Sequence, residues 1–261
     1  MSDETATPKA PGFDAVAERV APRLYRVATR MCRNADDAQD LVQETLLQGF
    51  RKWEQFEGRS DPATWLYTIA GRLCQRARRR RAGEPKSLEP LTELLPMPTD
   101  PVVAVPTGDD PVAAQVRQEA ERTVSIALAA LPTTFRLPLV LADIAELTTA
   151  EIAQVLGLKE ATVKTRIHRA RLKLRRALLR TLPSRVAPPP NHDRQVCLDL
   201  LQAKQEALDR HAPFGFSGQE LCARCQAVFA TLDLGREACV GVTSGELPAA
   251  IKDLLARHRS R

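Results

Sequence analysis

This chain has few aromatic residues, and it lacks the long apolar segments that are typical of membrane and secreted proteins. Phe, Trp and Tyr make up 4% of the 261 residues, whereas Leu, Ala and Arg are abundant, which favours a mainly helical fold. No apolar run approaches the length that spans a bilayer, and the polar start MSDETATPKAPGF lacks a signal-peptide core. We therefore expect a cytoplasmic, all-α protein of two or three small domains.

An excess of acidic charge is also absent. The chain has 38 Lys and Arg residues against 32 Asp and Glu residues, a formal net charge of +6. Residues 191–261 contain nine basic and nine acidic residues, so the whole excess lies in residues 1–190. Because positive charge on a domain attracts nucleic acid, we expect DNA contacts in residues 1–190 and not in the tail.

The segment TAEIAQVLGLKEATVKTRIHRAR, residues 149–171, predicts a helix-turn-helix bent around Gly157. Ile152, Ala153 and Leu156 would form the buried stripe of the first helix, and Val163 and Ile167 that of the second. Thr148 and Glu151 have the spacing of a capping box. The second helix would present polar and basic groups outward for a major groove: Lys164, Thr165, His168, Arg169, Arg171 and Lys173. The alternative is a pair of amphipathic helices with a solvated basic face.

A second pattern lies upstream. Leu41, Val42, Thr45, Leu46 and Phe50 recur at helical spacing and predict a buried stripe. The opposite face is acidic and polar, with Asp36, Asp37, Asp40, Gln43 and Glu44. An aromatic turn follows, and then a helix crowded with guanidinium groups: Arg72, Arg76, Arg78, Arg79, Arg80 and Arg81. Aromatic groups beside arginines suit unstacked bases.

These residues resemble the bacterial sigma-70 family, and within it the small extracytoplasmic-function sigma factors. DLVQETLLQGFRKW, the pattern formed by Phe56, Gly58, Ser60, Thr64, Trp65 and Leu66, and EIAQVLGLKEATVKTRIHRARLKLRRAL look like its second and fourth conserved regions. The resemblance covers about residues 13–82 and 113–182, in the family's order and spacing.

The resemblance implies a division of roles among these residues. Asp40, Leu41, Gln43 and Glu44 would contact a coiled coil of the largest subunit of core RNA polymerase. The unpaired strand of the −10 element would be captured by a second set: Phe56, Ser60, Trp65, Arg72, Arg76, Arg78, Arg79 and Arg80. Trp65 is in addition a residue type more often found in a core. The −35 element would be read by a third set: Thr162, Lys164, Thr165, His168, Arg169, Arg171 and Lys173.

Two departures from the family pattern affect DNA reading. Arg72 and Arg76 stand where the family usually has Asn and Asp, which raises phosphate attraction and removes groups that read base edges. Lys159 and Ala161 replace the customary Ser cap and Gly of the recognition helix. The lost cap costs about 1 kcal/mol, partly offset because Ala is the better helix former.

Proline-rich segments divide the chain. Residues 82–112 contain seven prolines and six acids against one lysine, and we expect a stiff, extended linker there, either a spacer or an acidic strand that mimics RNA inside polymerase. VAPPPN ends the second domain. The resulting organisation is a disordered 1–12, a region 2-like domain at 13–82, a linker at 83–112, a region 4-like domain at 113–183, a linker at 184–190 and a helical regulatory extension at 191–261.

The extension carries four of the six cysteines: Cys197, Cys222, Cys225 and Cys239. Thiolates in such a pattern could hold zinc or another thiophilic metal, with His192 and His211 as substitute ligands. A second interpretation is plain core packing, since Cys225 lies on an apolar stripe with Leu221, Val228, Phe229 and Leu232. A third is a thiol switch, in which Ser217 caps a helix and Cys222 lies in its first turn.

The function that follows is that of a non-catalytic initiation factor without a required cofactor. It would bind core RNA polymerase and promoter DNA, help melt the −10 region and be regulated through its extension, with a separate anti-sigma factor left open as a further partner. The alternative is a stand-alone helix-turn-helix regulator, which would not need the acidic face around Asp40. A thiol oxidoreductase built on the CxxC sequence lacks the expected β-α-β pattern.

Overall fold

The computed structural model describes residues 12–32, 34–79, 87–106, 108, 110–216, 220–241 and 246–259. Almost all of the regular structure in these ranges is helical, which confirms the predicted all-α class. None of the helices described is long and apolar enough to cross a membrane.

The first three helices form one bundle. They are α1 (Phe13–Met31), α2 (Ala35–Lys52) and α3 (Pro62–Arg79), with a 3-10 turn at Trp53–Gln55 after α2. The side chain of Asn34 begins α2 by accepting a hydrogen bond from the backbone N–H of Asp37. Leu24, Val42 and Leu66 are fully buried between the three helices.

A second bundle contains the helix-turn-helix. It consists of α5 (Pro111–Ala130), α6 (Thr133–Asp143), α7 (Thr149–Leu156) and α8 (Glu160–Thr181). Asp110 caps α5 by accepting from the N–H of Ala113, and a proline occupies the first turn, where no N–H partner is needed. The two sets of packed helices thus span residues 13–79 and 111–181.

The acidic linker is folded where the structure describes it, so the prediction of an extended, unfolded 83–112 is wrong there. Residues Leu91–Leu94 form the short helix α4, and Val102–Val103 form strand β1. Strand β1 pairs antiparallel with β2 (Ser184–Arg185), with Val102 opposite Arg185 and Val103 opposite Ser184. Leu94 and Val102 are 0% and 1% exposed. A segment rich in proline and charge usually buries too little apolar surface to offset the loss of chain entropy on folding, but the burial of these two residues provides that surface.

The extension forms α9 (Arg194–Asp209), α10 (Ala223–Gly241) and α11 (Ala249–Arg259), and all three helices join the rest of the molecule. Helix α10 packs against α5 and α8, whereas α11 packs against α1 and α2. Cys239 and Ile251 belong to the main apolar core that also contains Leu24 and Ile167. A second core joins the linker, α8, α9 and the start of α10.

Candidate functional site

The helix-turn-helix has the local structure that the sequence predicts. The Thr148 side chain accepts from the N–H of Glu151 and the Glu151 side chain accepts from the N–H of Thr148, a complete capping box. Gly157 ends α7 with φ +65°, and the N–H of Leu158 returns to the carbonyl of Ala153 at 2.9 Å. Ile152, Val163 and Ile167 are fully buried, while Ala153 and Leu156 are half-buried.

The first half of α8 is open to solvent. Lys164 and Thr165 are exposed and Thr162 is half-buried. Lys164 forms a surface ion pair with Glu160 at 3.3 Å, and the Thr165 hydroxyl donates to the carbonyl of Ala161 at 2.9 Å. Exposed pairs of this kind are weak, so these side chains are free to turn toward a ligand.

The part of α8 from His168 to Arg176, called its second half below, is covered by the extension and the linker. Asp209, at the end of α9, binds His168 Nε2 through Oδ2 at 2.7 Å and Arg171 Nη1 through Oδ1 at 2.6 Å. Arg171 Nη2 also binds Asp143 of α6 at 2.7 Å, and only 4% of the Arg171 side chain is exposed. The prediction that Arg171 faces outward is therefore wrong, because two carboxylates compensate its burial between α6, α8 and α9.

Burial alone would raise the pKa of Asp209, but the hydrogen bond from His168 and the charge of Arg171 outweigh it and lower the pKa. Asp209 is consequently ionised while it covers α8. Its side chain is 4% exposed, so this pair is screened by salt far less than a surface pair. Asp209 and Asp143 both bind Arg171, and neither lies in a local sequence pattern that predicts this contact.

Glu89 of the linker covers the same half of α8 from another side. Its carboxylate binds Lys173 and lies 3.5 Å from Arg176 Nη1, and its backbone carbonyl accepts from Arg169 Nη2 at 2.6 Å. The hydrogen bond from Lys173 lowers the pKa of Glu89. The guanidinium of Arg169 also lies over the ring of Phe135, 5.4 Å from its centroid. Arg169 and Lys173 are therefore half-buried and paired within the chain.

Arg175 is buried in the same region without compensation. The residue is 1% exposed, and none of its three guanidinium nitrogens has a hydrogen-bond partner among the described residues. Burial lowers the pKa of Arg175 to about 10; Asp100 opposes the shift, whereas Arg224 and Arg176 add to it. This arrangement is costly because a buried charge normally requires a partner. The covered state of α8 is thus strained at Arg175.

The predicted polymerase surface on α2 is acidic and accessible. Asp40 is exposed, and Gln43 and Glu44 are half-buried, with Glu44 Oε1 accepting from Gln48 at 2.7 Å. Leu41 is 9% exposed and lies in the core, so it supports the surface from below and is not part of it. The charged groups keep a position from which they can meet a basic partner.

The aromatic residues of the turn after α2 pack on each other. The rings of Trp53 and Phe56 stack at 5.0 Å, and Trp65 meets them edge-on or tilted at 5.9 Å and 5.4 Å. Trp65 and Phe56 are half-buried, as is Ser60. Trp65 thus has the packing role that its residue type often takes. Because Trp65 and Phe56 are only half-buried, part of the aromatic cluster is still accessible to a base.

Helix α3 carries the predicted −10 arginines. Arg72 and Arg76 are exposed. Arg78 and Arg79 lie in its last turn, where their side chains are outside the described structure, and Arg80 lies outside the described residues. The arrangement leaves the described guanidinium groups of α3 available to phosphates.

The two family-like bundles contact each other. The Thr64 hydroxyl lies 3.3 Å from the Glu151 carboxylate of α7, and a Cβ on Gly71 would lie 3.5 Å from Val155. Arg23 of α1 donates to the carbonyl of Ile144 at 3.2 Å and pairs with Glu146. The predicted −10 and −35 surfaces therefore belong to one closed arrangement in the described structure.

The tail cysteines divide into two groups, so the predicted four-cysteine metal site is wrong. Cys239 is fully buried in the main core, and burial raises its pKa to about 12. It lies fourteen residues beyond Cys225 on α10, about 21 Å away at the α-helical rise of 1.5 Å per residue. Cys197, Cys222 and Cys225 lie together in the second core. In the described ranges no group of three or more His, Cys, Asp or Glu side chains could hold a metal ion.

The predicted thiol-switch geometry differs in one respect. Helix α10 begins at Ala223, so Cys222 immediately precedes the helix and does not lie in its first turn. Ser217, the predicted cap, lies outside the described residues.

Comparisons with known protein families agree with the order of the two bundles. Residues 16–84 match the family described as Sigma-70 region 2, and residues 124–174 match the family described as Sigma-70, region 4. The second match falls within the predicted region 113–183, and the first overlaps the predicted region 13–82 and extends two residues beyond it.

Three curated relatives carry the same description, "ECF RNA polymerase sigma factor". SigW of Bacillus subtilis is 31% identical over 172 residues, which cover 64% of this chain and 88% of SigW. SigE of Mycolicibacterium smegmatis is 36% identical over 170 residues, covering 63% of this chain and 61% of SigE. SigG of Mycobacterium tuberculosis is 30% identical over 228 residues, covering 79% of this chain and 59% of SigG. The chain thus spans about three fifths of the length of SigE and SigG.

A solved structure of the sigma factor RpoE in complex with the anti-sigma factor NepR from Bartonella quintana is also similar. It is 24% identical and covers 64% of this chain and 96% of that chain, with a TM-score of 0.43. That score is too low to support conclusions about the arrangement of the helices.

Proposed function

The chain belongs to the extracytoplasmic-function sigma factors of the sigma-70 family, and from this membership we propose that it binds core RNA polymerase and directs it to promoters. It reads the −35 element with α8 and the −10 element with the turn before α3 and α3 itself, and it acts in the cytoplasm. Members of the family are initiation factors and not enzymes. The alternative of a stand-alone regulator leaves the region 2 bundle without a role.

The proposal rests on two sigma-type bundles, one with an exposed acidic surface that suits a basic partner and the other with an exposed helix start that suits DNA. The acidic face of α2 keeps Asp40 exposed, and the N-terminal half of α8 keeps Lys164 and Thr165 exposed. An acidic patch meeting a basic partner increases the rate of encounter and restricts the choice of partner. Exposed cations and hydroxyls at the start of a recognition helix are placed to meet phosphates and base edges.

Polymerase binding is tested by reversing charge on α2. The double variant D40K/E44K should lose co-purification with core polymerase, since four units of charge change on the proposed surface. The matched control is D199K/D253K, which makes the same charge change at exposed acids of α9 and α11. Equal recovery of polymerase with both double variants would exclude the α2 surface.

We also infer that the extension and the linker together regulate promoter recognition by covering the second half of α8. Asp209 holds His168 and Arg171, and Glu89 holds Arg169 and Lys173. Four of the seven residues assigned to the −35 element are thereby paired inside the chain. A phosphate must displace these carboxylates before it can approach, so the covered state binds duplex DNA weakly.

This cover is tested with isosteric changes that remove only charge. D209N should increase the affinity of the full chain for a duplex with a −35 element by about tenfold or more, because breaking a buried pair costs several kcal/mol. D199N, at an exposed position of the same helix, is the control and should leave the affinity unchanged. Circular dichroism of D209N should retain the helical content of the parent.

The cover proposal fails if D209N and D199N bind the duplex with the affinity of the parent. A combined D209N/E89Q variant adds a second check, since releasing both covers should increase the affinity beyond either single change.

A further inference from the structure

The start of α10 surrounds one sulfur atom with hydrogen-bond donors. Cys222 is the N-cap residue of α10, since its carbonyl accepts from the N–H of Gln226 at 3.0 Å. The N–H of Cys225 lies 3.4 Å from Cys222 Sγ, and the backbone N–H groups of Asn191 and Arg224 also donate to this sulfur. The sulfur thus takes the place that a hydroxyl or carboxylate oxygen takes in an ordinary helix cap.

The two cysteines of the CxxC segment differ in charge. Burial opposes ionisation of Cys222, but the three N–H donors outweigh it and the pKa of Cys222 is lowered. Burial, followed by hydrogen bonding with the neighbouring sulfurs of Cys222 and Cys197, raises the pKa of Cys225 far above its usual range. Cys222 is therefore the more readily ionised of two neighbouring thiols, and Cys225 is the one that keeps its proton.

A third thiol and a cavity complete the cluster. Cys197 Sγ of α9 lies 3.7 Å from Cys225 Sγ. Both residues line a mainly apolar cavity of about 150 Å³, together with His192, Arg194 and Phe229. A cavity of about 150 Å³ can hold a solute as large as benzene, so hydrogen peroxide fits inside it. A small oxidant in this cavity lies against Cys225, whose backbone N–H is 3.4 Å from Cys222 Sγ.

We propose that Cys222 and Cys225 form an oxidation site that reacts with hydrogen peroxide and closes to a disulfide. The Cys222 thiolate attacks one peroxide oxygen, the O–O bond breaks, and the departing hydroxide takes a proton and leaves as water. Cys222 is then a sulfenic acid. Cys225 sulfur attacks Cys222 Sγ, the S–O bond breaks, and hydroxide leaves with the thiol proton as a second water. Two thiols lose two electrons and one peroxide gains them.

The disulfide changes the packing that holds the cover on α8. It brings the sulfurs to about 2.05 Å, and Cys222 Sγ can then no longer ionise, so its interactions with the three N–H groups weaken. Cys222 and Cys225 share a core with Leu172 of α8, Leu201 of α9 and Val102 of β1. Oxidation thereby loosens α9, which carries Asp209, and increases the affinity of α8 for DNA. This consequence rests on the proposed cover, whereas the oxidation site itself does not.

The site is tested on the reduced full-length chain, treated with hydrogen peroxide, quenched with N-ethylmaleimide, denatured and mapped by mass spectrometry. We expect a Cys222–Cys225 disulfide to form at least about tenfold faster than oxidation of Cys32 or Cys74, because the thiolate is the reacting species. C222S should keep Cys225 reduced at the same dose, while C239S should react like the parent. Serine is a favoured N-cap residue, so C222S retains the start of α10. In C225S, dimedone should trap a sulfenic acid on Cys222.

Three results would overturn the oxidation site. They are faster oxidation of Cys32 or Cys74 in the parent, disulfide formation in C222S at the rate of the parent, or one equivalent of bound zinc in the purified chain that protects these thiols from peroxide. Metal content is measured on the same sample before oxidation.

DNA binding separates this proposal from the cover. Oxidised parent should bind the −35 duplex more tightly than reduced parent, and peroxide should not change the affinity of C222S. If the disulfide forms but D209N fails to increase the affinity in reducing buffer, the cover is wrong and the oxidation site stands. If D209N increases the affinity but no disulfide forms in the parent, the oxidation site is wrong and the cover stands.

Discussion

Replacing Arg175 by Met should stabilise the protein and weaken its binding to −35 DNA. Arg175 is 1% exposed, and its guanidinium nitrogens have no hydrogen-bond partner among the described residues. Met is a flexible apolar side chain that matches the length of the Arg stem as far as Nε, and it removes the buried guanidinium charge. The surrounding apolar contacts of the aliphatic stem are therefore largely preserved.

The magnitude follows from the pKa of Arg175. Burial lowers it from 12.5 to about 10, and each pKa unit corresponds to 1.36 kcal/mol, so the charged form is disfavoured in the folded state by about 3 kcal/mol. At neutral pH the charged Arg175 destabilises the folded state, because a cation with a depressed pKa binds its proton less tightly in the folded than in the unfolded chain. This destabilisation decreases only when the pH rises above about 10. R175M should therefore raise the free energy of unfolding by up to about 3 kcal/mol.

Two measurements check this expectation. Urea unfolding followed by circular dichroism gives the change in stability, and fluorescence anisotropy with a labelled −35 duplex gives the affinity. If Arg175 becomes solvated when the cover opens, the same energy favours the closed state, and the affinity should fall by up to about a hundredfold. R180M is the matched control, since Arg180 is exposed on the same helix. Lower stability of R175M than of R180M, or tighter DNA binding by R175M, would refute the reasoning.

Three further changes have defined outcomes. Because the pKa of Asp209 is depressed, its stabilising contribution is present above about pH 4 and lost as the pH falls, so the stability difference between parent and D209N in urea should shrink from pH 6 to pH 3. G157A should lower the free energy of unfolding in urea by about 1–2 kcal/mol, because Gly157 has φ +65°, where a side chain strains the backbone. A Cβ at Gly157 would meet no atom within 4 Å, so a clash contributes nothing to this cost. G215A is the control and should leave the stability almost unchanged, since a Cβ there also meets no atom within 4 Å. G49A should lower stability by about 1–3 kcal/mol through overpacking, since its Cβ would lie 2.7 Å from Leu66 Cδ2 and 2.9 Å from Phe13 Cε2.

The features that the sequence predicts well are those set by neighbouring residues. The capping box of Thr148 and Glu151 and the turn at Gly157 depend on residues three to five positions apart, and the structure confirms both. The buried stripe of α2 also follows from periodicity, although Phe50 is 38% exposed at its end. The order of the two bundles follows from the family resemblance.

The features that the sequence misses are long-range pairs. Arg171 meets Asp143 and Asp209, which lie 28 and 38 positions away, and no local pattern distinguishes it from the exposed Lys164. The linker contains enough proline and charge to predict an extended chain, yet its few apolar residues, such as Leu94 and Val102, find a second core. The contacts of Glu89 and Asp209 and the burial of Arg175 escape prediction for the same reason, because all three are set by long-range packing.

The two-residue ladder between β1 and β2 affects how α8 can be released. Val102 and Val103 pair with Arg185 and Ser184, and the N–H of Ala104 donates to the carbonyl of Pro183 at 3.0 Å, so the linker is fastened to the segment that leaves α8. The chain between these points comprises α5 to α8, so the ladder joins the two ends of the region 4 bundle. A ladder this short contributes little on its own, and it separates without unfolding either bundle. Uncovering of α8 by the linker can thus begin as a local opening, whose free energy is a fraction of that for global unfolding.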